Sequence, residues 1–127
     1  MENNNRIVFV VDDEALIADT LATILNNAGF QTTAFYSPEH VLKAANGASP
    51  DLLIADVAMP GMTGIELAIE VKSQYPQCKV LLFSGQAGMA DLLERARQEL
   101  PEFEFLSKPV HPTDLLAKLS LQTRPES

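Results

Sequence analysis

Ile7-Val8-Phe9-Val10-Val11, followed without a break by Asp12-Asp13-Glu14, is a run of five apolar residues that stops on acids. A strand that is apolar at every position, rather than at every second one, is buried on both faces, as in a parallel sheet covered by helices on each side. The pattern recurs at Leu52 to Ala55, stopped by Asp56, and at Val80 to Phe83, stopped by Ser84. These three runs are the expected central strands. Gln31 to Tyr36 opens on polar Gln31, Thr32 and Thr33, and Phe103-Glu104-Phe105 alternates apolar with charged. Half-covered strands read this way, so both are expected at sheet edges.

Helix-length segments fall between the runs: Glu14 to Ala28 stopped by Gly29, Pro38 to Asn46 stopped by Gly47, Gly64 to Gln74, Met89 to Gln98, and Pro112 to Leu121. Ser37 before Pro38 fits an N-cap with proline in the first turn, and Thr63-Gly64-Ile65-Glu66 has capping-box spacing. Five strand–helix units with the second and fifth strands outermost predict an α/β fold. The expected sheet is doubly wound, five-stranded and parallel, in the flavodoxin-like order 2-1-3-4-5, with five helices. The first and third strands are then neighbours whose crossovers leave in opposite directions, and the functional site is expected in the crevice at their carboxyl ends. One domain over residues 1–123 is expected, with 124–127 as a short polar tail.

Composition narrows the function classes. A chain of 127 residues, 46% of them hydrophobic, suits a single domain with an ordinary core. Nine basic residues against 17 acidic ones leave a net charge of −8, which opposes direct binding to nucleic acid. The lone Cys78 excludes an internal disulfide, and with only His40 and His111 it cannot complete a four-ligand zinc cluster. Met1-Glu2-Asn3-Asn4-Asn5 lacks the basic and apolar segments of a signal peptide, and no run nears the roughly 18 apolar residues of a membrane span. A cytoplasmic protein without membrane association is expected.

The residues that end the strands carry the chemistry. Asp12 and Asp13 follow the first, Asp56 the third, Ser84 the fourth, and Lys108 the fifth. One Asp before a helix is ordinarily a cap for free amides. Two adjacent acids facing a third repel one another, and a bound cation relieves that repulsion. Oxygen ligands without His or Cys suit a hard ion such as magnesium, with manganese as a substitute. Asp13 and Asp56 are the expected direct ligands, with Asp12 acting through a water. Lys108, which alone would be a solvated lysine, is followed by Pro109, which could hold its ammonium toward the acids. Ser84 follows a buried run, which favours an inward hydroxyl, whereas Phe105 alone would be plain core.

At these residues the sequence resembles the receiver domain of two-component response regulators, of the chemotaxis-regulator type. The matching pieces are Val11-Asp12-Asp13-Glu14, the stretch from Pro50 through Asp56-Val57-Ala58-Met59-Pro60-Gly61-Met62-Thr63 to Gly64, Leu82-Phe83-Ser84-Gly85, and Phe105-Leu106-Ser107-Lys108-Pro109. Each is weak alone; four in order, spanning Arg6 to Leu121, are specific. The resemblance implies that Asp56 is the phosphoacceptor, Asp12 and Asp13 the acid pair, Ser84 the hydroxyl switch and Lys108 the family lysine. It adds the Ala58 backbone carbonyl to the metal ligands and implies that Ala58 and Gln86 sit at the pocket rim, where water access is controlled. Phe105 becomes the aromatic switch partner of Ser84. Asp51 precedes the apolar run and belongs at the opposite end of its strand.

The resemblance also implies partners: a phosphohistidine on a sensor histidine kinase or phosphotransfer protein as donor, and a downstream protein on the face of the fourth helix, fifth strand and fifth helix. A phosphorylation-dependent dimer is compatible with it. The domain would catalyse its own phosphorylation and dephosphorylation without being a metabolic enzyme. Three other readings fit less well. A phosphatase of the haloacid-dehalogenase type needs a second acid two residues after its nucleophile, where Ala58 stands. A flavin binder needs a phosphate-cradling loop after the first strand, where Asp12-Asp13-Glu14 would repel the phosphate, and no glycine-rich nucleotide motif occurs. A receiver-fold interaction module that takes no phosphate is opposed by the retention of all five site residues.

Overall fold

Successive residues of a strand point to opposite faces of its sheet, so an all-apolar strand feeds two cores at once. The computed structural model describes residues 6–84, 94, 98, 103–107 and 111–123. Five parallel strands, β1 (Ile7–Val11), β2 (Gln31–Phe35), β3 (Leu52–Asp56), β4 (Lys79–Ser84) and β5 (Glu104–Ser107), lie in the order β2-β1-β3-β4-β5. Phe9, Val11, Leu53, Ala55 and Leu82 pack with Val41 of α2 (Pro38–Gly47) and with Ala68 and Val71 of α3 (Gly64–Gln74). Val8, Val10, Ile54 and Phe83 face the other way, onto Ala18 and Leu25 of α1 (Ala15–Asn27) and Leu115 of the C-terminal helix (Pro112–Thr123). This is the expected doubly wound sheet, with the expected strands in the centre and at the edges.

Element ends differ by a residue or two, for local reasons. β3 runs one residue further than expected because Asp56 pairs in register with Phe83. β5 covers Glu104–Ser107 rather than starting at Phe103, because Leu106 continues the alternation: Phe105 packs on the α2/α3 side and Leu106 on the α1 side. α1 begins after Glu14, which makes no side-chain cap, and is closed by Gly29 at φ 104°. Ser37 holds the N-cap position of α2, but its hydroxyl lies 3.0 Å from His40 Nδ1 instead of bonding a backbone amide. The Thr63/Glu66 capping box forms in both directions. Of the expected helix Met89 to Gln98, Glu94 and Gln98 are helical, and the other positions lie outside the described residues. Among the described residues no helix is long and apolar enough to cross a membrane.

The β2 edge carries a plug that sequence patterning does not reveal. Gln31 donates to the Arg6 carbonyl and Asp12 donates to the Phe35 carbonyl, so the odd-numbered residues of β2 face β1 and Thr32 faces outward. The Asn26 amide meets both of its backbone groups: Thr32 N–H donates to Oδ1 at 2.8 Å and Nδ2 donates to the Thr32 carbonyl at 3.2 Å. An open edge strand invites pairing with another chain. Asn26→Ala is therefore expected to cost about 1 kcal/mol in urea unfolding and to promote concentration-dependent association, read by light scattering. An unchanged midpoint would show that water replaces the amide at no cost.

Candidate functional site

Because β1 and β3 are neighbours with Val11 beside Ala55, the residues that follow them meet. Asp12, Asp13 and Asp56 each place a carboxylate oxygen within 4.8 Å of the other two. Asp12 is 0% exposed and Asp56 4%, while Asp13 is exposed at the mouth. Two carboxylates are thus withdrawn from water on one edge of the sheet, where burial disfavours the charged form unless counter-charge or hydrogen bonds compensate it. Asp12 spends one oxygen on local structure: Oδ1 accepts from the Glu14 amide at 2.9 Å, tightening the turn into α1. The ordinary helix-start role of an Asp therefore coexists with the cluster. The Ala58 amide reaches back to Asp56 Oδ1 at 3.3 Å, a long bond.

The donor set tests whether a metal fits. Three carboxylates converge with no nitrogen or sulfur donor in the group. Such a set selects hard oxygen-seeking ions, magnesium or manganese, and a dication would relieve the repulsion between the buried acids. The cluster could hold a metal ion on the residues that the sequence singled out.

The remaining expected site residues divide. Ser84 is the last residue of β4, in register with Ser107 of β5, which places its backbone beside the carboxyl end of β3. Phe105 is half-buried, lies in register with Leu82 and packs against the core on the α2/α3 side. Lys108, Gln86, Gly85 and Pro109 lie outside the described residues. Asp51 stands at the far end of β3 as expected, its Oδ2 accepting from the Ile7 amide at 2.8 Å. His40 and His111 are both exposed. Cys78 is core, 1% exposed, and burial pushes its thiol up to about 12, the nearby Lys72 charge only partly opposing this.

Two features escaped the sequence. Tyr36, just after β2, donates to Asp19 Oδ1 at 2.6 Å, tying the end of β2 to α1; that hydrogen bond is the main cause holding its phenol above the usual tyrosine range. Gly64 lies flat against the Asp56 backbone, a contact between α3 and β3 that capping-box spacing alone does not announce.

Comparison with known proteins places this arrangement. The profile of the response regulator receiver domain matches residues 8–120. The chain is 32% identical over 117 residues to the transcriptional regulatory protein FixJ of Bradyrhizobium diazoefficiens, an overlap of 92% of this chain and 56% of FixJ. It is 33% identical over 103 residues to the DNA-binding transcriptional regulator NtrC of Escherichia coli, covering 81% of this chain and 22% of NtrC. The chain thus spans about half of one relative and less than a quarter of the other. The chemotaxis protein CheY4 of Vibrio cholerae superimposes with a TM-score of 0.80 at 28% identity, over 91% of this chain and 97% of CheY4.

Proposed function

This chain belongs to the response regulator receiver family, and on that premise we propose that it accepts a phosphoryl group on Asp56 from a histidine-phosphorylated kinase or phosphotransfer protein. The observation that carries the reading is the pair of buried carboxylates, Asp12 and Asp56, with Asp13 at the mouth. A divalent ion on Asp13, Asp56 and the Ala58 carbonyl, with Asp12 acting through a water, would neutralise charge on the phosphoryl oxygens. An Asp56 oxygen attacks phosphorus in line, the phosphorus–nitrogen bond of the donor breaks, and the imidazole leaves with its electron pair. Lys108 neutralises a further phosphoryl oxygen, and Ser84 donates a hydrogen bond to another. The product is an acyl phosphate, which water hydrolyses to return the carboxylate, with Ala58 and Gln86 at the rim setting access.

The signal leaves through the sheet. Ser84 moving toward the phosphoryl group vacates space that Phe105 fills, and the surface formed by the fourth helix, β5 and the C-terminal helix changes shape for a cytoplasmic partner. Coupling of this kind is typically about 1–3 kcal/mol and biases two existing arrangements. Amide shifts on adding beryllofluoride with magnesium test both halves. Shifts are expected around Asp12, Asp13 and Asp56, and also in Glu104–Ser107 and Pro112–Thr123. No shifts anywhere would overturn the phosphoacceptor reading; shifts confined to the acids would overturn the switch.

A further inference from the structure

We propose that Gly64 is a positioning residue for the chemistry at Asp56, acting through the backbone of the phosphoacceptor itself. The inference rests on the phosphoacceptor reading above. A methyl group built on Gly64 would lie 2.8 Å from the Asp56 carbonyl carbon and 3.0 Å from the Val57 Cα, and closer still to the Asp56 carbonyl oxygen. Gly47, at the end of α2, meets nothing within 4 Å in the same test. The three nearest atoms are all backbone, so rotating a side chain away would not relieve the clash.

The surrounding bonds leave few ways to yield. Gly64 N–H donates to the Val57 carbonyl at 3.0 Å, closing the loop 57–63 on itself, and Gly61 at φ 78° turns the chain within that loop. The Thr63/Glu66 capping box fixes the first turn of α3 just behind Gly64. On the other side, Val57 N–H donates to the Phe83 carbonyl at 3.0 Å and Asp56 is in register with Phe83, so the end of β3 is held by β4. A side chain at 64 therefore displaces the Asp56–Val57 peptide, tilts α3 or does both. The Asp56 peptide aims its carboxylate at Asp12 and Asp13, so the displacement is delivered to the reacting oxygen. The requirement for glycine here is set by the site and not by the helix, since alanine is the better helix former.

Misplacement of a reacting group by about 1 Å can cost on the order of 100-fold in rate. Gly64→Ala is expected to weaken magnesium affinity, read by titration calorimetry, about tenfold. Phosphoryl uptake from acetyl phosphate, read by intact mass at saturating magnesium, should slow on the order of 10- to 100-fold. Val71→Ala, in the core at the far end of α3, controls for lost stability: it should lower the melting temperature but keep rate and affinity within about twofold. Parent-like affinity and rate in folded Gly64→Ala, or equal losses in Val71→Ala, would overturn the inference. Should Gly64→Ala not fold, the double variant Thr63→Ala with Glu66→Ala loosens the same helix start without added bulk. It should slow uptake by about two- to fivefold, and an unchanged rate would overturn the inference. Absence of uptake by the parent chain would instead overturn the phosphoacceptor reading, and the inference with it.

Discussion

Asp56→Asn is expected to take up no phosphoryl group from acetyl phosphate and, in metal-free buffer, to melt above the parent. The first half follows from chemistry: the amide oxygen is a poor nucleophile and cannot yield the acyl phosphate, so the single adduct seen by intact mass in the parent should vanish. The second half follows from burial. Asp12 and Asp56 are 0% and 4% exposed, with oxygens within 4.8 Å. Unit charges at about 4 Å interact by about 4 kcal/mol at an effective dielectric of 20. The ammonium of Lys108, which the family resemblance brings to the pocket, would offset part of this repulsion. Hydrogen bonds and the exposed mouth reduce the gain to about 1–3 kcal/mol, or roughly 3–10 °C for a domain of this size. Asparagine keeps an oxygen for the Ala58 amide, so little is lost in exchange. An adduct that survives in the variant would remove Asp56 from its role; a lower melting temperature would show that its charge is compensated in the fold.

Magnesium should stabilise the parent strongly, and Asp13→Ala should abolish most of that response. A ligand that binds only the native state adds about 2.7 kcal/mol at one hundred times its dissociation constant, so saturating magnesium should raise the melting temperature by roughly 5–15 °C. Asp13 is the exposed member of the cluster, open to an arriving hydrated ion, and its loss removes a ligand without opening a cavity. Without metal the variant should melt at or slightly above the parent, because one repelling charge is gone. Equal stabilisation of variant and parent by magnesium would exclude Asp13 as a principal ligand. Destabilisation of the metal-free variant would show that Asp13 supports the turn into α1.

Much of the fold was written locally. Burial on both faces leaves a mark at every position of a strand, so Ile7–Val11, Leu52–Ala55 and Val80–Phe83 could be read as central without knowing their partners. Gly29 and the Thr63–Glu66 spacing marked helix ends for the same reason: each acts on its own few residues. The boundary differences at Asp56, Phe103 and Glu14 arise where pairing with a neighbouring strand or the path of a turn decides the last residue. The acids were legible as candidates because each ends an apolar run, and the motif order tied them to one family.

Sequence alone thus determined the strand order, the crevice and the identity of the acids, since these follow from short-range patterns and from the rule that ligands collect where crossovers part. Tertiary structure decided how the acids differ: Asp12 and Asp56 are shut from water while adjacent Asp13 is exposed, because β1 ends at Val11 and the two acids that follow it stand in different surroundings. It also decided the Asn26 plug on Thr32 and the contact of Gly64 with the Asp56 backbone. Both depend on where one element docks against another's main chain, and main-chain atoms are the same for every residue. Such a contact leaves no pattern of side chains from which to read it.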